Sequence, residues 1–165
     1  MLQALAEEFS HESPVPVLIL VTRMFGAMLL CGLIGLERRI NKNMAGLRTN
    51  MLIGLSVTIF TLVTLHITNN LAPTNDAMRM DPIRLIEAVT GGIAFLAAGV
   101  VVFTRGSVQG LTTGASMWLS GAIGLSVGLG LWLIAAIATL AGIIVLWLVR
   151  HSEVALGIKD DVRDD

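Results

Sequence analysis

Apolar residues fall in long blocks separated by short polar segments, and these blocks set the element count. A bilayer core of about 30 Å needs roughly 20 apolar helical residues. Val17 to Leu36 is one such block, interrupted only by Arg23. Met51 to Ile67 is a second, with no Asp, Glu, Lys or Arg, and Ile83 to Phe103 is a third, with Arg84 and Glu87 in its first turns. Leu111 to Val149 holds no charged residue in 39 positions. At about 1.5 Å per residue it is far too long for one straight span. It must fold back, and Gly128-Leu129-Gly130 is the expected bend. The pattern predicts an all-α integral membrane protein with five transmembrane helices, at about 17–36, 51–67, 83–103, 111–128 and 131–149. An N-terminal segment (1–16) precedes the five-helix domain (17–149), and a short charged tail (150–165) follows it.

Basic residues orient the spans. Arg38, Arg39, Lys42 and Arg48 lie between the first two, Arg105 between the third and fourth, and Arg150, Lys159 and Arg163 after the fifth. Five spans place all eight on one side, against Arg79 and Arg84 on the other. This predicts an external N-terminus and a cytoplasmic C-terminus in a multi-pass membrane protein. A four-span count would separate Arg105 from the C-terminal basic residues. The first block is not a signal peptide, because Glu7, Glu8 and Glu12 replace the basic n-region. The polar loop of roughly 68–81 is external on this reading. It ends in Asp81-Pro82, an N-cap followed by proline at the first helical position.

Composition agrees with the pattern. Apolar residues are 55% of the chain, charged residues only 14%, and mean hydropathy is +0.81. A soluble domain carries about 25% charged residues. Net charge is −1, so the total gives no footprint for nucleic acid. The single cysteine, Cys31, excludes a disulfide scaffold and is read as a small apolar packing residue. His11, His66 and His151 stand at no metal-ligand spacing, and no nucleophile–base motif occurs, so neither an enzyme nor a cofactor or metal site is expected.

Arg23 and Glu87 are the charges furthest inside the spans. A charge near the bilayer centre costs about 2.5–3.5 kcal/mol on insertion scales. Both helices enter from outside and both charges sit at similar depth, which predicts an intramembrane Arg23–Glu87 ion pair, with Asp81 as a further partner. The alternative is that Arg23 snorkels and Glu87 faces water. Many of the 17 glycines lie inside the spans. Gly114, Gly121 and Gly128 recur every seven residues, with Gly124 beside them, and the third helix carries Ala88, Gly91, Gly92, Ala98 and Gly99. Small residues let helix backbones approach closely in lipid. Gly91, Gly92, Gly99, Gly114, Gly121, Gly124 and Gly128 are therefore candidate packing positions, within the chain or at a homo-oligomer face. Trp132 and Trp147 fit interface anchors, and Trp118 fits internal packing.

Two runs go beyond generic membrane composition. One is Gly32-Leu33-Ile34-Gly35-Leu36-Glu37-Arg38-Arg39, followed by Ala45-Gly46-Leu47-Arg48-Thr49-Asn50. The other extends from Gly91-Gly92-Ile93-Ala94-Phe95-Leu96-Ala97-Ala98-Gly99 to Gly110-Leu111-Thr112-Thr113-Gly114-Ala115. In this order and spacing they closely resemble the membrane domain of the MgtC/SapB family, as does Asp81-Pro82-Ile83-Arg84. The resemblance covers roughly Arg23 to Val149. The family commonly has Gly where Ala97 stands and Ala where Gly114 stands. Some members continue into a soluble C-terminal domain, whose role is not carried over to this chain.

The resemblance implies a bacterial inner-membrane protein linked to magnesium limitation and, in pathogens, to survival inside macrophages. It also implies a partner membrane complex such as ATP synthase. Placed on the five-span topology, Glu37, Arg38, Arg48, Thr49, Asn50, Arg105, Thr112 and Thr113 form one expected inner-face cluster. In it Glu37 pairs with Arg48 or Arg105, and Thr112 and Thr113 cap the fourth helix. The cluster is either a positive-inside boundary or a docking and sensing site. The leading expectation is a non-enzymatic regulator that contacts another membrane complex; the alternative is a small oligomeric ion transporter or channel.

Overall fold

The computed structural model describes residues 15–41, 43–71, 83–104 and 107–155. Five helices run through them: α1 (Val17–Ile40), α2 (Leu47–Leu71), α3 (Ile83–Val100), α4 (Leu111–Gly128) and α5 (Trp132–Ala155). The loop of 68–81 beyond Leu71, and Asp81-Pro82, lie outside the described residues. Three helical segments are long and apolar enough to cross a membrane: Val17–Ile40, Leu47–Thr68 and Ile83–Val100. Trp132–Leu148 is a shorter apolar helix of the same kind. Large apolar side chains such as Phe25, Leu29, Phe60, Phe95, Leu133 and Ile144 stand more than half exposed. A water-soluble monomer does not carry such a surface, whereas lipid solvates it. The chain has the build of an integral membrane protein.

α4 is the hub. Every other helix packs against it, α1 and α2 pack extensively on each other, and α2 and α3 scarcely meet. Two apolar cores flank it. Ala27, Cys31 and Ile34 of α1 join Ile123 and Val127 of α4 and Ala135 of α5 on one side. Ile53 and Val57 of α2 join Val89 and Ile93 of α3 and Met117 of α4 on the other. Cys31 is fully buried, as expected of a packing residue. Its thiol donates to the Ser120 carbonyl at 3.3 Å.

Glycines let the backbones meet around this hub. A Cβ on Gly124 would lie 2.6 Å from the Gly54 carbonyl oxygen, and one on Gly35 would lie 2.7 Å from the Leu47 Cα. The chain turns from α4 into α5 at Gly130, whose φ is +82°. Gly130 N–H donates to Val127 O at 2.9 Å and Leu131 N–H to Ser126 O at 2.8 Å. That pair of bonds is a Schellman motif, which favours glycine at its left-handed position. The turn falls at the bend read from Gly128-Leu129-Gly130.

The path between α3 and α4 differs from the expectation. α3 stops at Val100 rather than Phe103. Val102–Thr104 (β1) then pairs antiparallel with Ser107–Gln109 (β2), Phe103 facing Val108 across the ladder. Gly110 enters α4 at φ +88°, and a Cβ there would strike the Val100 carbonyl. The reversal at this end of the bundle is thus a small β-hairpin closed tightly on the end of α3.

Candidate functional site

The helices alternate in direction, so the end of α1, the start of α2 and the start of α4 meet. Arg38, Arg39 and Arg48 lie at this basic end. Arg38 is 6% exposed despite its charge, and its Nη2 donates to Thr113 Oγ1 of α4 at 3.3 Å. Ser116 donates to the Thr113 carbonyl at 2.8 Å. One turn deeper, Asn50 of α2 is fully buried. Its Nδ2 donates to the Gly46 carbonyl at 2.9 Å and the Ala45 carbonyl at 3.3 Å. Its Oδ1 accepts from Ser120 of α4 at 2.8 Å. Thr58 continues the seam, donating to the Gly124 carbonyl at 2.9 Å. Arg38, Asn50, Thr113, Ser116 and Ser120 thus form a buried polar seam tying α1 and α2 to α4.

The seam draws together only part of the expected cluster. Arg38, Asn50 and Thr113 belong to it. Glu37 does not pair with Arg48. Its Oε1 accepts from Asn41, the residue that ends α1, and its Oε2 is buried without a described partner. Thr112 and Thr113 do not cap α4, because Gly110 holds the N-cap position with no side-chain bond; Thr112 is exposed and Thr113 faces Arg38. Arg48 is exposed and Thr49 half-buried, both beside a cleft between α2 and α3. Arg105 lies outside the described residues. Ser116 and Ser120 were missed. Together with Thr113 they stand at i, i+3 and i+7, one helical face, and that spacing was the available signal.

At the opposite end the expected Arg23–Glu87 pair is replaced by another contact. Arg23 Nη1 donates to the Gly128 carbonyl at 2.8 Å. The guanidinium thereby sits at the C-terminus of α4, where the helix dipole favours a cation. Glu87 is exposed on α3. The reason is packing order: α1 and α3 lie on different flanks of α4 and share no packed face. Asp81, the further partner considered, lies outside the described residues.

The candidate packing glycines divide. Those of α4 pack: Gly114 on Ala97, Gly121 on Ile93, Gly124 on Gly54 and Gly128 on Thr61. Those of α3 pack on none of the described residues, since a Cβ on Gly91, Gly92 or Gly99 would meet nothing of these within 4 Å. α3 is held through Val89, Ile93 and Ala97. Trp118, read as internal packing, is 52% exposed and donates to the Thr90 carbonyl at 3.4 Å.

The cleft between α2 and α3 has a volume of about 800 Å³ and apolar walls along most of its length. Among the described residues no group of three or more His, Cys, Asp or Glu is placed to hold a metal ion.

A model of the MgtC family matches residues 24–155, which include both motif runs, the seam and Arg38. The chain belongs to the MgtC family. Among its relatives, an uncharacterised protein of Haemophilus influenzae is 34% identical over 82% of this chain and 61% of its own length. Protein MgtC of Brucella abortus is 38% identical over 76% of this chain and 49% of its own. YhiD of Escherichia coli, provisionally named a magnesium transporter, is 35% identical over 63% of this chain and 48% of its own. The chain therefore spans about half the length of most of these MgtC-family relatives. No solved structure matches it.

Proposed function

We propose that this MgtC-family chain is a five-span protein of the bacterial inner membrane, N-terminus outside and basic end in the cytoplasm. On this reading it acts as a non-enzymatic regulator, contacting another membrane complex under magnesium limitation or related stress. Three helical segments already qualify as spans, and α5 carries a fourth apolar stretch. The alternating helix directions then require α4 to cross as well. The excess of Lys and Arg at one end supports the orientation.

One observation carries the choice of regulator. The eight buried polar or charged residues among those described all bond within the bundle, and none of them is a carboxylate. Arg38, Asn50, Thr58, Thr113 and Ser120 bond between helices and the other three along their own helix. Among the described residues the one carboxylate oxygen buried without a partner is that of Glu37, which lies at the basic end and not along a path through the bundle. The seam instead makes a fixed platform at the basic end, with Arg39, Arg48 and Thr112 exposed around it. The alternative, a small oligomeric transporter, draws on the provisional name of YhiD and on the open glycine face of α3.

Ion flux in proteoliposomes, measured beside recovery of a co-purifying membrane complex, tests the reading. The regulator predicts no flux above empty vesicles and a complex that is lost when Arg39 and Thr112 are both changed to Ala. Robust magnesium or proton flux that scales with protein would overturn it. Labelling of single cysteines placed near each terminus checks the orientation, and a cytoplasmic N-terminus would refute that part.

A further inference from the structure

The cleft between α2 and α3 takes no part in the seam, and something must fill it in a bilayer. α2 and α3 diverge there, and Met117 of α4 forms part of its floor. Its walls are Leu52, Ile53 and Val57 on α2, and Val89, Gly92 and Leu96 on α3. At ~30 Å³ per water, 800 Å³ would take roughly 27 waters, each needing two to four polar partners, and beyond its basic end the cleft offers only the hydroxyls of Ser56 and Thr64. Hydrocarbon fits such walls and water does not.

One end of the cleft is different. Arg48 is the one charged residue lining it among those described, and Thr49 lies beside it. Both belong to the first turn of α2, at the basic end. Most threonine hydroxyls in these helices donate to a carbonyl one turn back, as Thr61, Thr64 and Thr68 do. For Thr49 that carbonyl is Ala45 O, which accepts from Asn50 instead. No hydrogen bond to a described residue occupies the Thr49 hydroxyl. An exposed guanidinium and an available hydroxyl thus head an apolar groove. From Arg48 to Thr64 the groove wall extends about 24 Å, at 1.5 Å per helical residue, more than the depth of one leaflet. One leaflet of hydrocarbon is about half of the ~30 Å core.

We propose that this cleft is a binding site for one anionic phospholipid of the adjacent leaflet. Its phosphate sits on Arg48 and Thr49, and an acyl chain lies between α2 and α3 against Leu52, Phe60, Gly92 and Leu96. Arginine suits the phosphate because its planar fork donates two parallel bonds. The proposal depends on the membrane placement of the bundle and not on the regulatory role. The absence of glycine packing on this side of α3 follows from it, because the space beside Gly92 is the space the chain fills.

Native mass spectrometry of the full-length protein in detergent tests the site, titrating dioleoyl phosphatidylglycerol against dioleoyl phosphatidylcholine. The wild type should retain one phosphatidylglycerol with about fivefold preference, the size of one basic residue's attraction to an anionic lipid surface. Arg48→Gln should abolish that preference and Arg48→Lys should keep most of it. Gly92→Leu, with Ala88→Leu as a second cleft-filling variant, should lose both lipids while the protein stays monodisperse with unchanged melting. Equal retention of the two lipids by the wild type would overturn the proposal. So would unchanged preference in Arg48→Gln, or full retention in a cleft-filled variant that remains folded. A dimer that Gly92→Leu converts to monomer assigns the cleft to a second copy and equally overturns it. Regulatory activity is measured separately, so failure here leaves that reading standing.

Discussion

Replacing Asn50 tests whether the polar seam holds the helices together. Asn50→Ala removes three hydrogen bonds from a fully buried position and leaves the Ser120 hydroxyl without its acceptor. A typical intramolecular bond contributes about 0.5–1.5 kcal/mol net, and an orphaned buried group costs about 1–3 kcal/mol. Bonds between membrane helices average nearer ~0.6 kcal/mol and reach ~1.7 kcal/mol. Two of the three Asn50 bonds are local, to Ala45 and Gly46, and one crosses to α4. The expected loss for Asn50→Ala is therefore about 2–4 kcal/mol, and for Ser120→Ala about 1 kcal/mol. The two share a bond, so Ser120→Ala should cost close to nothing once Asn50 is gone. The coupling energy should fall at about 0.6–1.7 kcal/mol. Asn50→Asp should be worse than Asn50→Ala, because a carboxylate of the same shape faces two carbonyl oxygens and cannot donate to them. Unfolding in mixed micelles, followed through the tryptophan fluorescence, measures each value. Additivity within about 0.3 kcal/mol, or Asn50→Asp no worse than Asn50→Ala, would refute the seam.

Other substitutions separate the two ends and the two kinds of glycine. Gly124→Ala should destabilise by about 1–3 kcal/mol, since its Cβ meets the Gly54 backbone rather than a movable side chain; Gly91→Ala should be neutral or stabilising by up to about 1 kcal/mol, read in the same micelle assay. Arg23→Ala should cost about 1–2 kcal/mol through the lost bond to Gly128 and the α4 dipole, while Glu87→Gln should stay within about 0.5 kcal/mol. A charge-swapped Arg23→Glu, Glu87→Arg double variant should fail to recover the loss, and recovery would restore the ion pair as the right account. Gly130→Ala should cost about 1–2 kcal/mol, from the left-handed backbone conformation and from crowding Arg23.

The helix count was legible because lipid imposes it: each crossing needs a block of about 20 apolar residues. The α4–α5 turn was legible because Gly128-Leu129-Gly130 interrupts a block too long to cross once. Partners were harder to read. Arg23 and Glu87 match in depth, but depth says nothing of which flank of α4 a helix occupies, and that decides the contact. Gly91 and Gly121 look alike in sequence; only packing tells a glycine in a helix crossing from one facing open space. The hairpin was missed because Val101, Val102 and Phe103 continue the apolar run of α3, and three residues are too few to show a period of two. The Arg105-Gly106 dipeptide was the turn signal available there. Ser116 and Ser120 were passed over as minor polar residues, although their spacing from Thr113 already placed them on one face.

The central place of α4 bears on how the protein is made. Its 18 residues include three serines, two threonines and four glycines, and it is not among the helices apolar enough to cross on their own. In the finished bundle its buried face is covered by the other helices, Ser120 donates to Asn50 of α2, and Ser116 and Ser126 donate to carbonyls of α4 itself. During synthesis those neighbours must already be present, or α5 must follow at once. The Schellman turn at Gly130 joins α4 to the most apolar of the later helices within three residues. The two are thereby suited to enter the bilayer as one antiparallel pair. In a translocon reporter α4 alone should remain largely uninserted, while α4 and α5 together should insert, so the middle of this protein depends on what is synthesised after it.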